Sequence, residues 1–510
     1  MSNQINQKRI AKNTLMLYLR MGVTMLVSLY TSRIVLSTLG VDNFGIYNVV
    51  GSVVVMFSFM NLTLTVSIRR FLAYELGKDG KNIQSVFNSS IIAVFIASTI
   101  IVIGLETIGL WFLNYQLNIP IDRMEAANFV FQFSILSFFI GMNTVPYSSA
   151  IVTYEKMGIY AYLGIVDVVL KLLIVYLLQY LTGDKLRIFS VLTFTASIFT
   201  ASINFLYCKW KVINTTTLIP FKWKDVSAIF KFSAWSVIGT LILMMATQGI
   251  NMIYNIFFGV AINAALGVAQ QVTNALGQFI GNFQTAFNPQ LTKSYSAEGL
   301  SENTFKFVCQ TSRFTILLIL MLSVPLIANM SPILSLWLEK VPNYAVPFTI
   351  ISILYISIDG SAGPLYLLVY AKGDVKLYQI ILSTIQLTYV FIVLVLCNCG
   401  LSPEVILSAN IVNVILLYLG RVYILKTKMD FPVMRYVRNV ISPLFIPVSL
   451  FVLMAFTLEF TIPGQSILET LLRIGLSVLV VSVICYMLYL TQSERQFVAT
   501  VVKKKVSGYL

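Results

Sequence analysis

The sequence predicts an all-α integral membrane protein of about fourteen transmembrane helices, arranged as two parallel six-helix repeats followed by two extra C-terminal helices. Three observations predict it. Of 510 residues, 58% are hydrophobic and only 11% charged, too few charges for a water-exposed surface of this size. Apolar runs of about 20 residues or more recur along the chain, each long enough to cross a hydrocarbon core of roughly 30 Å as a helix. A shift of 219 residues lays landmarks of the first half on the second: Lys12 on Lys231, Gly40-Val41 on Gly259-Val260, Gly80 on Gly299.

Taken in order, the spans begin near residues 12, 45, 85, 126, 156, 186, 228, 261, 305, 345, 375, 403, 436 and 467, with ends uncertain by about 2–4 residues. The formal charge of +15 is a topology signal. With the N-terminus inside, one set of loops collects Lys8, Arg9 and Lys12, then Arg69, Arg70, Lys78 and Lys81. It goes on to Lys209, Lys211, Lys222, Lys224 and Lys231, then Arg421, Lys426, Lys428, Arg435 and Arg438, and ends with Lys503, Lys504 and Lys505. The other set holds Arg123, Lys185, Arg187, Lys340, Arg473 and Arg33. That asymmetry is the positive-inside rule, and an even number of spans puts both termini in the cytoplasm. The basic balance therefore does not point to nucleic acid. Arg20 interrupts the first apolar run, which is also too long for a signal peptide, so it is expected to stay as a span.

The sequence contains no histidine, which removes imidazole proton relays, His-ligated metals and His-based triads. Its five cysteines are scattered apart from Cys397 and Cys399, and a lone Cys-x-Cys reads as free thiols.

The repeat sets the domain boundaries. Residues 1–213 form the N-terminal bundle, 214–226 a basic interfacial linker with Trp223 beside lysines, 227–428 the C-terminal bundle, and 429–510 two further helices and a basic tail. At a slightly smaller shift Pro146 falls on Pro364, and Tyr154-Glu155-Lys156 on Tyr370-Ala371-Lys372. GMNTVP (Gly141–Pro146) corresponds to DGSAGP (Asp359–Pro364), and Gly/Pro interruptions at matching places in two halves point to a transport site or to passive kinks.

Polar residues recur at helical spacing inside several spans: Arg20, Thr24, Ser28 and Thr31; Ser58, Asn61, Thr65 and Arg69; Ser236, Thr240, Thr247, Asn251 and Asn255; Asn263, Gln270, Asn274, Thr285 and Asn288. Lipid would not tolerate such faces, so each must meet protein or water. Either they pack helices together or they line a shared water-filled cavity. Asp167 and Lys171, four apart within IVDVVLKLLIV, have the favourable acid-first spacing for an ion pair, structural or functional. Glu106, near a helix end, and Asp359 are two other acids within spans, and with no histidine any proton coupling would run through carboxylates such as Asp167 or Asp359.

NTLMLYLRMGVTMLVSLYTSRIVLSTLG, followed by VDNFGIYNVVG, resembles the opening of bacterial polysaccharide-export flippases. VPYSSAIVTYEKMGIYAYLGIVDVVLKLLIVYLL is similar to the middle of their first half. These proteins belong to the multidrug/oligosaccharidyl-lipid/polysaccharide exporter superfamily. Members often carry His where Tyr154 stands, so a role for that His does not transfer. The resemblance implies two six-helix bundles around a central cavity lined by spans one, two, seven and eight. It implies a polyprenyl-pyrophosphate-linked oligosaccharide, such as an O-antigen repeat unit of lipopolysaccharide, moved from the inner to the outer leaflet of the bacterial cytoplasmic membrane by alternating access. Expected partners are that substrate, membrane lipids and the polysaccharide polymerase machinery, with no nucleic acid. No cofactor is expected; a proton or sodium gradient is the energy source left open.

The expected cavity residues are Arg20, Thr24, Asn61, Arg69, Arg70, Lys171, Asn251, Asn255, Gln270 and Asn274, with Asp167 and Asp359 as ion-coupling candidates. Cations suit a pyrophosphate. The nearest rival is an ion-coupled multidrug or cation exporter of the same superfamily. A membrane enzyme such as a polymerase or acyltransferase would generally need a sizeable catalytic loop or an intramembrane His, and the chain has neither.

Overall fold

The computed structural model describes residues 2–77, 82–154, 156–212, 221–372, 376–461 and 467–496, and these contain helices and turns but no strand. They fall into two compact units, Met1–Gly267 and Val268–Leu510.

The first unit holds α1 (Ser2–Val55), α2 (Phe59–Gly77), α3 (Ile83–Gly104), α4 (Leu110–Tyr115), α5 (Met124–Asn143), α6 (Val145–Thr153), α7 (Met157–Tyr180), α8 (Lys185–Lys211), α9 (Trp223–Phe258) and the start of α10 (Val260–Glu298). Here α1 packs on α7, α5 on α8, and α9 on α1, α2 and α3. The boundary between compact units therefore falls beyond the repeat boundary, because the first helix of the second repeat packs into the first unit. The linker's residues 213–220 and the tail from 497 lie outside the described residues.

The second unit holds the rest of α10, α11 (Glu302–Ala328), α12 (Met330–Trp337), α13 (Ala345–Ser361), α14 (Gly363–Lys372), α15 (Lys376–Asn398), α16 (Pro403–Met429), α17 (Val433–Tyr436), α18 (Phe445–Thr461) and α19 (Ile467–Ile484). Its core joins Phe305, Leu365, Leu368, Tyr436, Val481 and Cys485, so the two extra helices share one apolar interior with the second repeat. They are also clamped to it: Arg313 donates to both carboxylate oxygens of Glu494, at 2.6 and 2.9 Å, and to the carbonyl of Asn439. Glu494 is only 2% exposed.

Matching positions in the two halves adopt the same conformations. Gly40 and Gly259 both turn the chain at positive φ, 78° and 79°, a region that glycine occupies without steric cost. Each makes a one-residue corner between two long helices. The proline-bearing segments break the helix in both halves, between α5 and α6 and between α13 and α14, the latter bent by 40°. Lys156 donates to the carbonyl of Lys211 at the end of α8, and Lys372 to the carbonyl of Lys428 at the end of α16. Each lysine thus satisfies a carbonyl that a helix C-terminus leaves open.

Among the described residues nine helices are long and apolar enough to cross a membrane, or ten if the bent pair α13–α14 is one span. Two of the differences from the fourteen expected have a physical reason. Val27–Leu76 runs for 50 residues through the Gly40 corner, far longer than one crossing needs. The amides of α10 lower its hydropathy below that of a simple span. Exposed apolar side chains such as Ile100, Ile103, Phe391, Leu471 and Leu479 form the outer surface that lipid would cover.

Candidate functional site

The charges inside the spans organise each unit separately. In the first unit Lys171 donates to Asp167 at 2.9 Å, the pair that the four-residue spacing predicts. Both side chains are open, 58% and 40% exposed. Their face of α7 is nonetheless the inner one. Leu163, Ile174 and Leu178 share it and are buried, while the exposed stripe of Tyr162, Val169, Leu173 and Tyr180 lies on the opposite side. The pair is thus an open ionic contact turned away from the lipid stripe.

Along α2, Asn61, Thr65 and Arg69 share one face at four-residue spacing. Thr65 donates to the carbonyl of Asn61. Asn61 Oδ1 and Arg69 Nε are buried atoms with no partner among the described residues. One is an acceptor and the other belongs to a cation, about 12 Å apart along the helix. Leaving such groups buried and unmet is costly. Thr24 and Arg70 both interact with other groups of the chain, and Arg70 is exposed. The side chains of Arg20, Ser236, Thr240, Thr285 and Asn288 lie outside the described ones.

Asn251 and Asn255 belong to a closed amide network. Asn251 donates to Ser52 Oγ at 3.0 Å, and Asn263 donates to the carbonyl of Asn251. Asn255, fully buried, donates to Asn263 Oδ1 and accepts from the backbone N–H of Asn118 at 2.8 Å. Nearby, Gly45 comes so close to the Val260 carbonyl that a Cβ would sit 2.0 Å from its oxygen. These amides pin the Gly259 corner to the first unit, so in this conformation Asn255 is out of reach of a ligand. Sequence alone did not mark Asn118 or Asn48; both stand outside the helical stripes.

In the second unit Gln270 donates to Asn274 Oδ1 at 2.8 Å, and both are exposed. Gln278, four residues on and also exposed, extends the line. Asp359 accepts from Arg421 Nη2 at 2.7 Å. Arg421 is 9% exposed, and its Nε and Nη1 find no partner among the described residues. It turns into the packed interior, unlike Lys426 and Lys428 of the same helix, which are exposed and with which the sequence grouped it. Arg473, expected in an outer loop, is likewise buried in α19 and donates to the carbonyl of Ala328 at the end of α11. Asp167 and Asp359 thus each meet a basic partner. Glu106 accepts from Gln132 Nε2 at 2.9 Å. Among the described residues no cluster of His, Cys, Asp and Glu could hold a metal ion, and no cysteine is bridged.

Beside the start of α8 Arg123 donates to Asn43 and to Asp184, at 2.9 and 3.0 Å, and Asp184 caps α8 through the N–H of Leu186. Partial burial pushes the Asp184 carboxyl up, but the hydrogen bond and charge of Arg123 and the helix N–H groups outweigh it, holding the group below its ordinary value.

No family model matches the chain, and no curated protein matches it in sequence. Solved structures do match in fold. Lipid II flippase MurJ in an inward closed conformation aligns at a TM-score of 0.68 and 14% identity, covering 94% of this chain and 99% of that one. The chain has the fold of a lipid flippase. An inward-facing multidrug resistance MATE family transporter of the MOP superfamily shares it at a TM-score of 0.63 and 15% identity, over 80% of this chain and 98% of its own. So does the MATE multidrug transporter DinF-BH, at 0.57 and 15%, over 83% and 96%. This flippase and transporter fold is the all-α, multi-pass membrane architecture expected from the sequence.

Proposed function

We propose that the chain is a flippase that moves polyprenyl-pyrophosphate-linked oligosaccharide from the inner to the outer leaflet of the bacterial cytoplasmic membrane by alternating access. The observation that carries this assignment is the α2 stripe, where a guanidinium nitrogen and an amide oxygen stand buried without partners among the described residues. A pyrophosphate is the natural ligand for the first and a sugar hydroxyl for the second. The exposed Arg70 adds positive charge within the same unit. The extra C-terminal helices favour the same assignment. The flippase structure aligns over 94% of the chain, whereas the multidrug transporters leave uncovered a share comparable to residues 429–510.

Both termini lie in the cytoplasm on this assignment, and the protein is a transporter, not an enzyme. It needs no cofactor. With Asp359 held by Arg421, a proton or sodium gradient would couple through the open Asp167. Membrane lipids surround it, and polysaccharide polymerase machinery receives its product.

Deletion of the gene followed by assay of lipid-linked oligosaccharide tests the proposal. Build-up on the cytoplasmic leaflet is the expected result. The second reading, an ion-coupled multidrug or cation exporter, has the transporter matches in its favour. Unchanged lipid with altered drug sensitivity would select it.

A further inference from the structure

Inside the first unit, between α1, α5 and α8, lies a half-enclosed chamber of about 260 Å³. Ser58, Ser134, Ser137, Ser190 and Thr193 line it, together with the ring of Tyr47. It sits on the inner side of α5, away from the exposed Leu136. Hydroxyl oxygens gathered at membrane depth can still accept a hydrogen bond that hydrocarbon does not offer.

The direction of the hydrogen bonds narrows the ligand. Ser137 donates to the carbonyl of Phe133, Ser190 to that of Arg187, and Thr193 to that of Phe189, at 2.7–2.8 Å. With their hydrogens spent on the backbone, these oxygens keep lone pairs for an incoming donor. None of the lining residues is charged, so the chamber offers nothing to neutralise a phosphate or a metal ion. Phe133 and Phe138 add apolar ring surface to the same walls. Hydroxyl acceptors beside aromatic rings suit a molecule with many O–H donors and apolar C–H faces. The space admits one ring, not a chain of several. Gly51 contributes to that space: a Cβ built there meets nothing within 4 Å.

The chamber also lies near the start of the polar stripe. Ser58, which lines the chamber, ends the turn that leads into α2 and stands three residues before Asn61. We infer that this chamber is a subsite for one uncharged pyranose ring of the cargo, an inference that rests on the flippase assignment for the rest of that cargo.

The test uses the full-length protein in lipid nanodiscs with Ser137→Cys in a Cys399→Ser background, since Cys399 is the exposed native thiol and the other four are buried. A small water-soluble methanethiosulfonate reports access to the thiol placed at position 137, with D-glucose, D-galactose and N-acetyl-D-glucosamine as probes. The position is expected to react, and at least one hexose at twice its Kd slows the reaction by about threefold, while the open-chain polyol sorbitol does not. Gly51→Leu, whose Cβ has open space and whose side chain takes up chamber volume, is expected to abolish that protection. No reaction without sugar, equal protection by sorbitol, no protection by any hexose, protection that survives Gly51→Leu, or protection only by a planar aromatic cation would each overturn the inference. Binding is read without transport. If hexose protects position 137 while gene deletion leaves lipid-linked sugars unchanged, the subsite stands and the flippase assignment falls.

Discussion

Arg421 and Asp359, 62 residues apart in sequence, meet at 2.7 Å inside the second unit, with the guanidinium almost fully buried. Removing one member of such a pair strands the other, at a cost of about 3–5 kcal/mol, whereas removing both is far milder. Asp359→Asn is therefore expected to lower thermal stability in detergent sharply, and Asp359→Asn with Arg421→Met to recover most of the loss. A double variant as unstable as the single one would show that the pair does not hold α13 to α16.

The contact between Asp167 and Lys171 is of the opposite kind. Open pairs contribute little to stability, about 1 kcal/mol at most, so Asp167→Asn and Lys171→Met should both fold. Their effect is expected on transport, with export of surface polysaccharide lost in the double variant. Normal export in that variant would reduce the pair to a structural ornament of α7.

Gly45 allows the closest backbone approach in the first unit. With a Cβ 2.0 Å from the Val260 oxygen, Gly45→Ala must push α10 away. Gly267→Ala meets only the side chain of Asn48, at 2.6 Å, which can move. Melting temperature is expected to fall much further for Gly45→Ala than for Gly267→Ala; equal losses would contradict the contact.

Acid should loosen the contact between Arg123 and the start of α8. Because the folded Asp184 carboxyl lies below its ordinary value, its stabilisation is complete above the unfolded value of about 3.9. It is lost as pH falls below that, through the folded value. Asp184→Asn is expected to flatten the melting temperature of the protein across this acid range. The same slope in both proteins would assign the acid sensitivity to other groups.

The helices were legible because apolar length is a local property. Expected starts near 345, 403 and 467 coincide with α13, α16 and α19, and the one near 228 misses α9 by five residues since Trp223 and Lys224 begin it as an interfacial turn. Gly40 and Gly259 were legible as a repeat, and their matching φ values give the physical reason for glycine there. The Asp167–Lys171 pair followed from spacing on one helix. Long-range partners did not. Nothing local distinguishes Arg421 from Lys426 and Lys428, so only the fold reveals that it turns inward. Asn118 lies in a connection, where no helical periodicity exists to mark it, and its N–H reaches Asn255 only through tertiary packing.

The Arg313–Glu494 clamp bears on how the chain could be shortened. A version cut after residue 428 would keep the whole duplicated part, yet it would strip the carboxylate from a guanidinium whose side chain is only 11% exposed. Such a fragment would begin life with an orphaned ion at its heart and a flayed apolar flank. The last two helices are therefore not an appendix that a minimal version could shed, but a buttress without which the second repeat has no finished wall.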